Sequence, residues 1–140
     1  MSNSLILISQ QTYAGGGPAE TFTGDKVKGD GFYGRTDGLH TVQTSTTGFT
    51  GKIIFQGTLE LDPSESDWFT IVVDDTNATV LGVVDTTGAV TQSAGNSISS
   101  LELENKTGTL NYNFTGNYVW VRAKIIDWTQ GIVNNVMMNN

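Results

Sequence analysis

Few residues in this chain could do chemistry. His40 is its one histidine and it has no cysteine. A Ser-His-Asp triad would have to use His40, and a two-histidine or cysteine-ligated metal site cannot be built within one copy. His40 lies in a threonine-rich stretch beside a Gly/Asp-rich loop, which favours a structural role. The carboxylates offer more. Asp62, Glu65, Asp67, Asp74 and Asp75 cluster in sequence, and hard cations such as calcium take oxygen ligands from irregular loops of this kind. Their spacing fits no calcium loop, and Asp and Ser serve equally as turn and cap residues. They stand as candidate ligands, with no metal or other cofactor called for. A glycosidase needs two acids facing each other, one in an apolar setting. Glu60 is the best strand-borne acid, whereas Glu102 and Glu104 alternate with Leu101 and Leu103 and read as a solvated face. The expectation is a protein without catalytic residues.

Aromatic residues suggest binding. Trp68, Trp120 and Trp128, with Tyr33, Tyr112 and Tyr118, could stack on sugars or anchor a protein interface. Trp120 falls on the polar face of its strand next to Arg122 and Lys124, and a Trp beside an Arg is typical of interface anchors. Protein contact is favoured, with sugar contact the alternative. The run Gly15-Gly16-Gly17-Pro18 lacks the lysine of a phosphate-cradling loop.

These residues must be positioned by strands. Ile53 and Phe55, continuing to Leu59 and Leu61, alternate with Ile54, Gln56, Thr58 and Glu60, the period of two of a half-buried strand. Val119, Val121, Ala123 and Ile125 alternate with Trp120, Arg122 and Lys124 in the same way. Each run follows a Phe-Thr-Gly, at 49–51 and 114–116, read as a turn. Further strands are expected at 5–8, 39–46, 68–73, 97–103, 109–114 and 132–138. A hairpin is expected at 78–84 with 89–92, and a turn over 105–108. No stretch has a sustained helical period. The reading is an all-β, antiparallel β-sandwich of jelly-roll type, about eight to ten short strands in one domain. A Gly-rich N-terminal arm of about 1–25 and a short C-terminal extension of about 128–140 flank it.

Charge narrows the partners. The net charge is −7 with seven Lys and Arg, so no basic stripe exists to neutralise phosphates and nucleic acid is not an expected partner. The apolar run 5–8 has no positive residues before it; it reads as neither a signal peptide nor a membrane span. The triplets at Asn77, Asn105 and Asn113 match the N-glycosylation pattern and, without a secretory signal, read as incidental.

Taken in order, Gly31-Phe32-Tyr33-Gly34, Asp37-Gly38-Leu39-His40-Thr41-Val42, Phe49-Thr50-Gly51-Lys52-Ile53, Gly57-Thr58-Leu59, Asp67-Trp68-Phe69 and the run from Phe114 to Ala123 resemble small virion structural proteins of tailed phages. The resemblance is greatest to those of marine phages, including cyanophages, and covers roughly 30–126. It implies a virion component, an assembly protein without catalytic residues. Its partners would be other virion proteins: further copies of itself in a homo-oligomer, and major capsid or tail subunits. Capsid decoration is favoured, with a tail, neck or fibre component or a glycan- or receptor-binding module as alternatives. The expected contacts are the apolar segment Leu5, Ile6, Leu7 and Ile8, or the C-terminal one holding Ile132 and Val136, added to a neighbour's sheet edge. A second contact is expected at Trp120 and Arg122.

Overall fold

The structure, a computed structural model, describes residues 4–15, 19–34, 38–75, 83–84, 90–91 and 97–139. In chain order its strands are β1 (Ser4–Ile8), β2 (Gln11–Thr12), β3 (Glu20–Thr23), β4 (Val27–Lys28), β5 (Leu39–Thr58), β6 (Phe69–Ile71), β7 (Val73–Asp75), β8 (Val83–Val84), β9 (Val90–Thr91), β10 (Ser97–Ile98), β11 (Leu101–Thr115) and β12 (Trp120–Asn139). Short 3-10 turns occupy Asp30–Tyr33 and Glu65–Asp67. Ten strands form one sheet in the order β1-β12-β5-β11-β7-β10; β2, β3 and β4 also pair with β12, and β6 with β5. Every pairing is antiparallel, and β8 pairs with β9. The fold is all-β, as the alternation requires. The rest of the expected hairpin over 78–92 lies outside the described residues.

The strands are not uniformly short. β5 and β12 run for 20 residues each and β11 for 15, because several residues that read as turns are bulges inside strands. Gly48, Asn105, Gly108, Asp127 and Gly131 all have positive φ, and the β11–β5 and β12–β5 pairings slip register around them. One extra residue in a strand reverses which side chains face inward. The buried set accordingly changes parity along β5, from Val42, Thr44 and Thr46 to Phe49, Ile53 and Phe55. In β12 it passes from Val121, Ala123 and Ile125 to Trp128, and from Val133 to Val136 and Met138. Each bulge keeps apolar side chains on the inner face. Phe49-Thr50-Gly51, expected as a turn, is therefore strand, with the Phe49 ring buried against Trp128 at 6.2 Å.

The long strands also fold over on themselves. Fully extended, 20 residues span about 66 Å. Yet the Gly38 carbonyl, just before β5, accepts the Gly116 N–H at 2.9 Å, and the Thr58 carbonyl at its end accepts the Val119 N–H at 2.9 Å. Residues 116 and 119 are at most about 11 Å apart, which brings the two ends of β5 within roughly 20 Å. One layer holds the first half of β5, the second halves of β11 and β12, and β1, β2, β7 and β10. The other holds the remaining halves with β3, β4 and β6. Val42, Tyr112 and Phe114 from the first and Ile53, Phe55 and Val121 from the second share one apolar core. Of the expected arm, residues 4–8, 11–12 and 20–23 lie along the chain's own β12 as β1, β2 and β3, and residues 128–139 continue β12 inside the sheet.

Leu59 and Leu61 depart from the expected pattern. They are 67 % and 71 % exposed, because β5 stops at Thr58. There the backbone bond from Val119 ends the ladder, and the Thr58 hydroxyl accepts the Glu60 N–H at 3.2 Å.

Candidate interaction surfaces

Trp120 and Arg122 start β12 on the outer face of the second layer, where Arg122 sits opposite Gln56. The Arg122 Nε donates to Gln56 Oε1 at 2.8 Å, and its two terminal nitrogens donate to the two Glu65 carboxylate oxygens at 3.0 Å each. The guanidinium also lies 4.2 Å over the Trp68 ring. Glu65 is held in place because Ser64 and Asp67 close the turn around it: Asp67 Oδ2 accepts the Ser64 N–H at 2.8 Å and its hydroxyl at 2.9 Å. Hydrogen bonding by Arg122, reinforced by its charge, holds the Glu65 carboxyl below the usual carboxylate range. Trp120 Nε1 donates to the Leu61 carbonyl at 3.0 Å, with the Lys26 ammonium 4.6 Å from its ring centre. Arg122 is only 6 % exposed. The sequence points to an open contact face, but its donors are turned inward to fasten the 59–68 connection across the sheet.

The two apolar segments expected to reach a neighbour pair with each other. Leu5 lies opposite Met138, Ile6 opposite Met137 and Ile8 opposite Val136. Leu7, Ile8 and Val136 are buried, Leu5 and Ile132 half-buried, and Ile6 is 58 % exposed. A Cβ at Gly24 would meet the Leu7 carbonyl and the Ile8 side chain, so the end of β3 packs closely on this strand.

The acids do not converge, and no group of three or more metal-ligating side chains occurs among the described residues. Glu65 binds Arg122, Asp67 closes its own turn, and Asp74 accepts the Ser97 hydroxyl at 3.3 Å. Asp62 is exposed, and the Asp75 side chain lies outside what is described. His40 is buried, stacked 4.9 Å from Phe114, with Nε2 3.3 Å from the Gly116 carbonyl and 4.0 Å from Asp30 Oδ2. The same Asp30 oxygen accepts the Gly38 N–H at 3.2 Å. Nε2 can meet that carbonyl only as a donor, and His40 and Asp30 together pin the loops around 30, 38 and 116.

What stays exposed is concentrated at that end. Phe32, Tyr33, Leu39, Leu59, Leu61 and Phe69 are all exposed, and their segments are tied to the 116–120 loop by backbone, ring or indole contacts. Sequence reading missed Leu59, Leu61, Phe32 and Phe69 as surface residues. Two adjacent aromatics in a glycine-rich turn were the one available signal. The rings meet at steep angles, Phe32 on Tyr33 at 76°, Phe32 on Trp120 at 57° and Phe69 on Tyr118 at 59°. They form no coplanar platform of the kind that stacks on sugars.

No known family profile and no curated protein matches the chain. Its fold is similar to that of the SPBc2 prophage-derived protein YomS, with a TM-score of 0.60 over 99 % of this chain and 91 % of that one, at 12 % identity. At that identity the likeness is one of fold.

Proposed function

We propose that this chain is a bacteriophage virion structural protein that works through protein–protein contacts, as a subunit decorating and stabilising the capsid. The observation that carries the proposal is the fold likeness to a prophage-derived protein across nearly the whole of both chains. The run of motifs from Gly31 to Ala123, resembling small virion proteins, points the same way. The surface fits such a role: apolar side chains gathered at one end suit docking on another protein, and the steep ring angles there favour protein over glycan. A tail, neck or fibre position is the alternative within the same class.

The test is to purify particles from a lysate of the encoding phage, wash them in high salt, and quantify the chain by mass spectrometry and immunogold labelling. Many copies per particle with label over the head are expected. Label confined to the tail selects the alternative position. Presence in the lysate but absence from washed particles overturns the proposal.

A further inference from the structure

Charge is divided unequally between the two layers. Residues 4–12, 39–51, 107–115 and 128–139, which supply nearly all of the first layer, contain no Asp, Glu, Lys or Arg, although such residues make up 15 % of the chain. Only β7, at the far side, brings acids to it, Asp74 and Asp75. The other layer carries Lys52, Glu102, Lys106, Arg122, Lys124 and Asp127.

The outer face of the uncharged layer can be read from register, since residues directly opposite one another point to the same side. One row runs Ile6, Met137, Gln43 and Asn111; the next runs Ser4, Asn139, Thr41, Asn113 and Asp74. These side chains are partly ordered already: the Thr41 hydroxyl donates to Asn113 Oδ1 at 2.8 Å, and Asn134 Nδ2 donates to Thr47 Oγ1 at 3.0 Å. A groove of about 310 Å³ opens between Ser4, Thr41, Gln43, Met137 and Asn139. Exposed Ile6 stands beside it, across the strand pair from Met137.

We propose that this face binds a second copy of the chain about a twofold axis. Two chains of charge −7 repel wherever acids meet, and away from Asp74 at its β7 side this broad face lets them approach without opposing like charges. Depletion of Lys, Glu and Asp with retention of Met is one part of the compositional signature of a covered surface. β1 with its five residues and about nine residues each of β12, β5 and β11, at about 3.3 Å per residue and about 4.8 Å per strand, give roughly 500 Å², the size of a weak, reversible contact rather than the ~800 Å² per partner of a standard one. A knob next to a groove suits an isologous contact: with the axis between them, each Ile6 enters the other copy's groove. The face presents no aromatic side chain, as Tyr112 and Phe114 point into the core, so a glycan has nothing to stack on. The inference does not depend on the virion reading.

The test is the mass of the full chain by light scattering and sedimentation across the micromolar range. A species of twice 15.0 kDa is expected, favoured by added salt because screening relieves the repulsion between chains. Gln43→Glu, at an exposed position, opposes two carboxylates near the axis and should raise the dissociation constant by about tenfold or more. Ile6→Ser should weaken pairing as well. Glu104→Gln, on the charged half of β11, should leave it unchanged, and at concentrations too low for pairing all three variants should melt like the wild type. A wild type that remains at 15.0 kDa overturns the inference, even if it binds other virion proteins or a glycan. So does an association that salt weakens or that ignores both Gln43→Glu and Ile6→Ser.

Discussion

Replacing Arg122 with methionine separates a fastener from an interface anchor. Methionine keeps the buried stem but removes the charged fork. The lost Nε bond to Gln56 is worth about 1 kcal/mol, and the lost stacking on Trp68 about 1 kcal/mol more at a part-buried site. The Glu65 end is exposed and adds little. The sum is about 2 kcal/mol, and for a chain of this length each kcal/mol moves the melting temperature by about 4 °C, giving a fall of about 8 °C. Glu65→Gln keeps the Gln56 and Trp68 contacts and should lower the melting temperature far less. The sign with pH is fixed: the folded Glu65 carboxyl is held below its ordinary value. Its contribution is complete above that ordinary value and is lost as pH falls through the lowered one. The gap between wild type and Glu65→Gln should therefore close in acid. Calorimetry and light scattering on the same samples give the readout. If Arg122→Met melts like the wild type but associates more weakly, Arg122 faces a partner and the fastener argument fails.

Two further perturbations probe the fold and the exposed end. Gly131→Ala should cost about 3–5 kcal/mol, combining a positive φ with overpacking, since φ is +90° and a Cβ there would lie on the Gly48 carbonyl. Gly34→Ala, at φ +73° with open space around it, should cost about 1 kcal/mol; equal urea midpoints for the two would show that the crossing of β5 and β12 is not tight. Leu59→Ser with Leu61→Ser should leave stability within about 0.5 kcal/mol per site, both side chains being exposed. It should nonetheless reduce incorporation into particles, measured by quantitative mass spectrometry of washed virions.

The period-two pattern placed Ile53, Phe55, Val121, Ala123 and Ile125 in the core because burial along a strand is a local property of alternation. What local pattern could not decide was whether the chain reverses or sidesteps. A turn and a bulge both ask for positive φ and little or no side chain, so Gly48, Gly108 and Gly131 read the same in either case. Pairing with residues some 57 or more positions away makes them bulges. Leu59 and Leu61 keep the alternation past the end of β5, but that end is set by an N–H from residue 119. Arg122 reads as an exposed cation on a polar face and is buried by a connection 57 residues distant in sequence. Each of these misreadings turns on a long-range contact rather than on propensity.

The charged residues themselves explain why the two layers differ. In the second layer they have internal tasks: Arg122 grips Glu65, Lys52 lies 3.4 Å from Glu102 and 3.6 Å from Asp127, and the Lys26 and Lys28 ammonium groups sit over Trp120 and Phe32. These contacts tie loops and bulges to the sheet. The first layer is held by the β1–β12–β5–β11 ladder, whose backbone bonds need no charged fasteners. That accounts for charges being dispensable there, but not for their absence, since a solvated face gains solubility from interspersed Lys and Glu. The proposed pairing with a second copy would supply the missing reason. A lysine or glutamate at Gln43 or Asn111 would be harmless to an isolated chain and costly only to a pair.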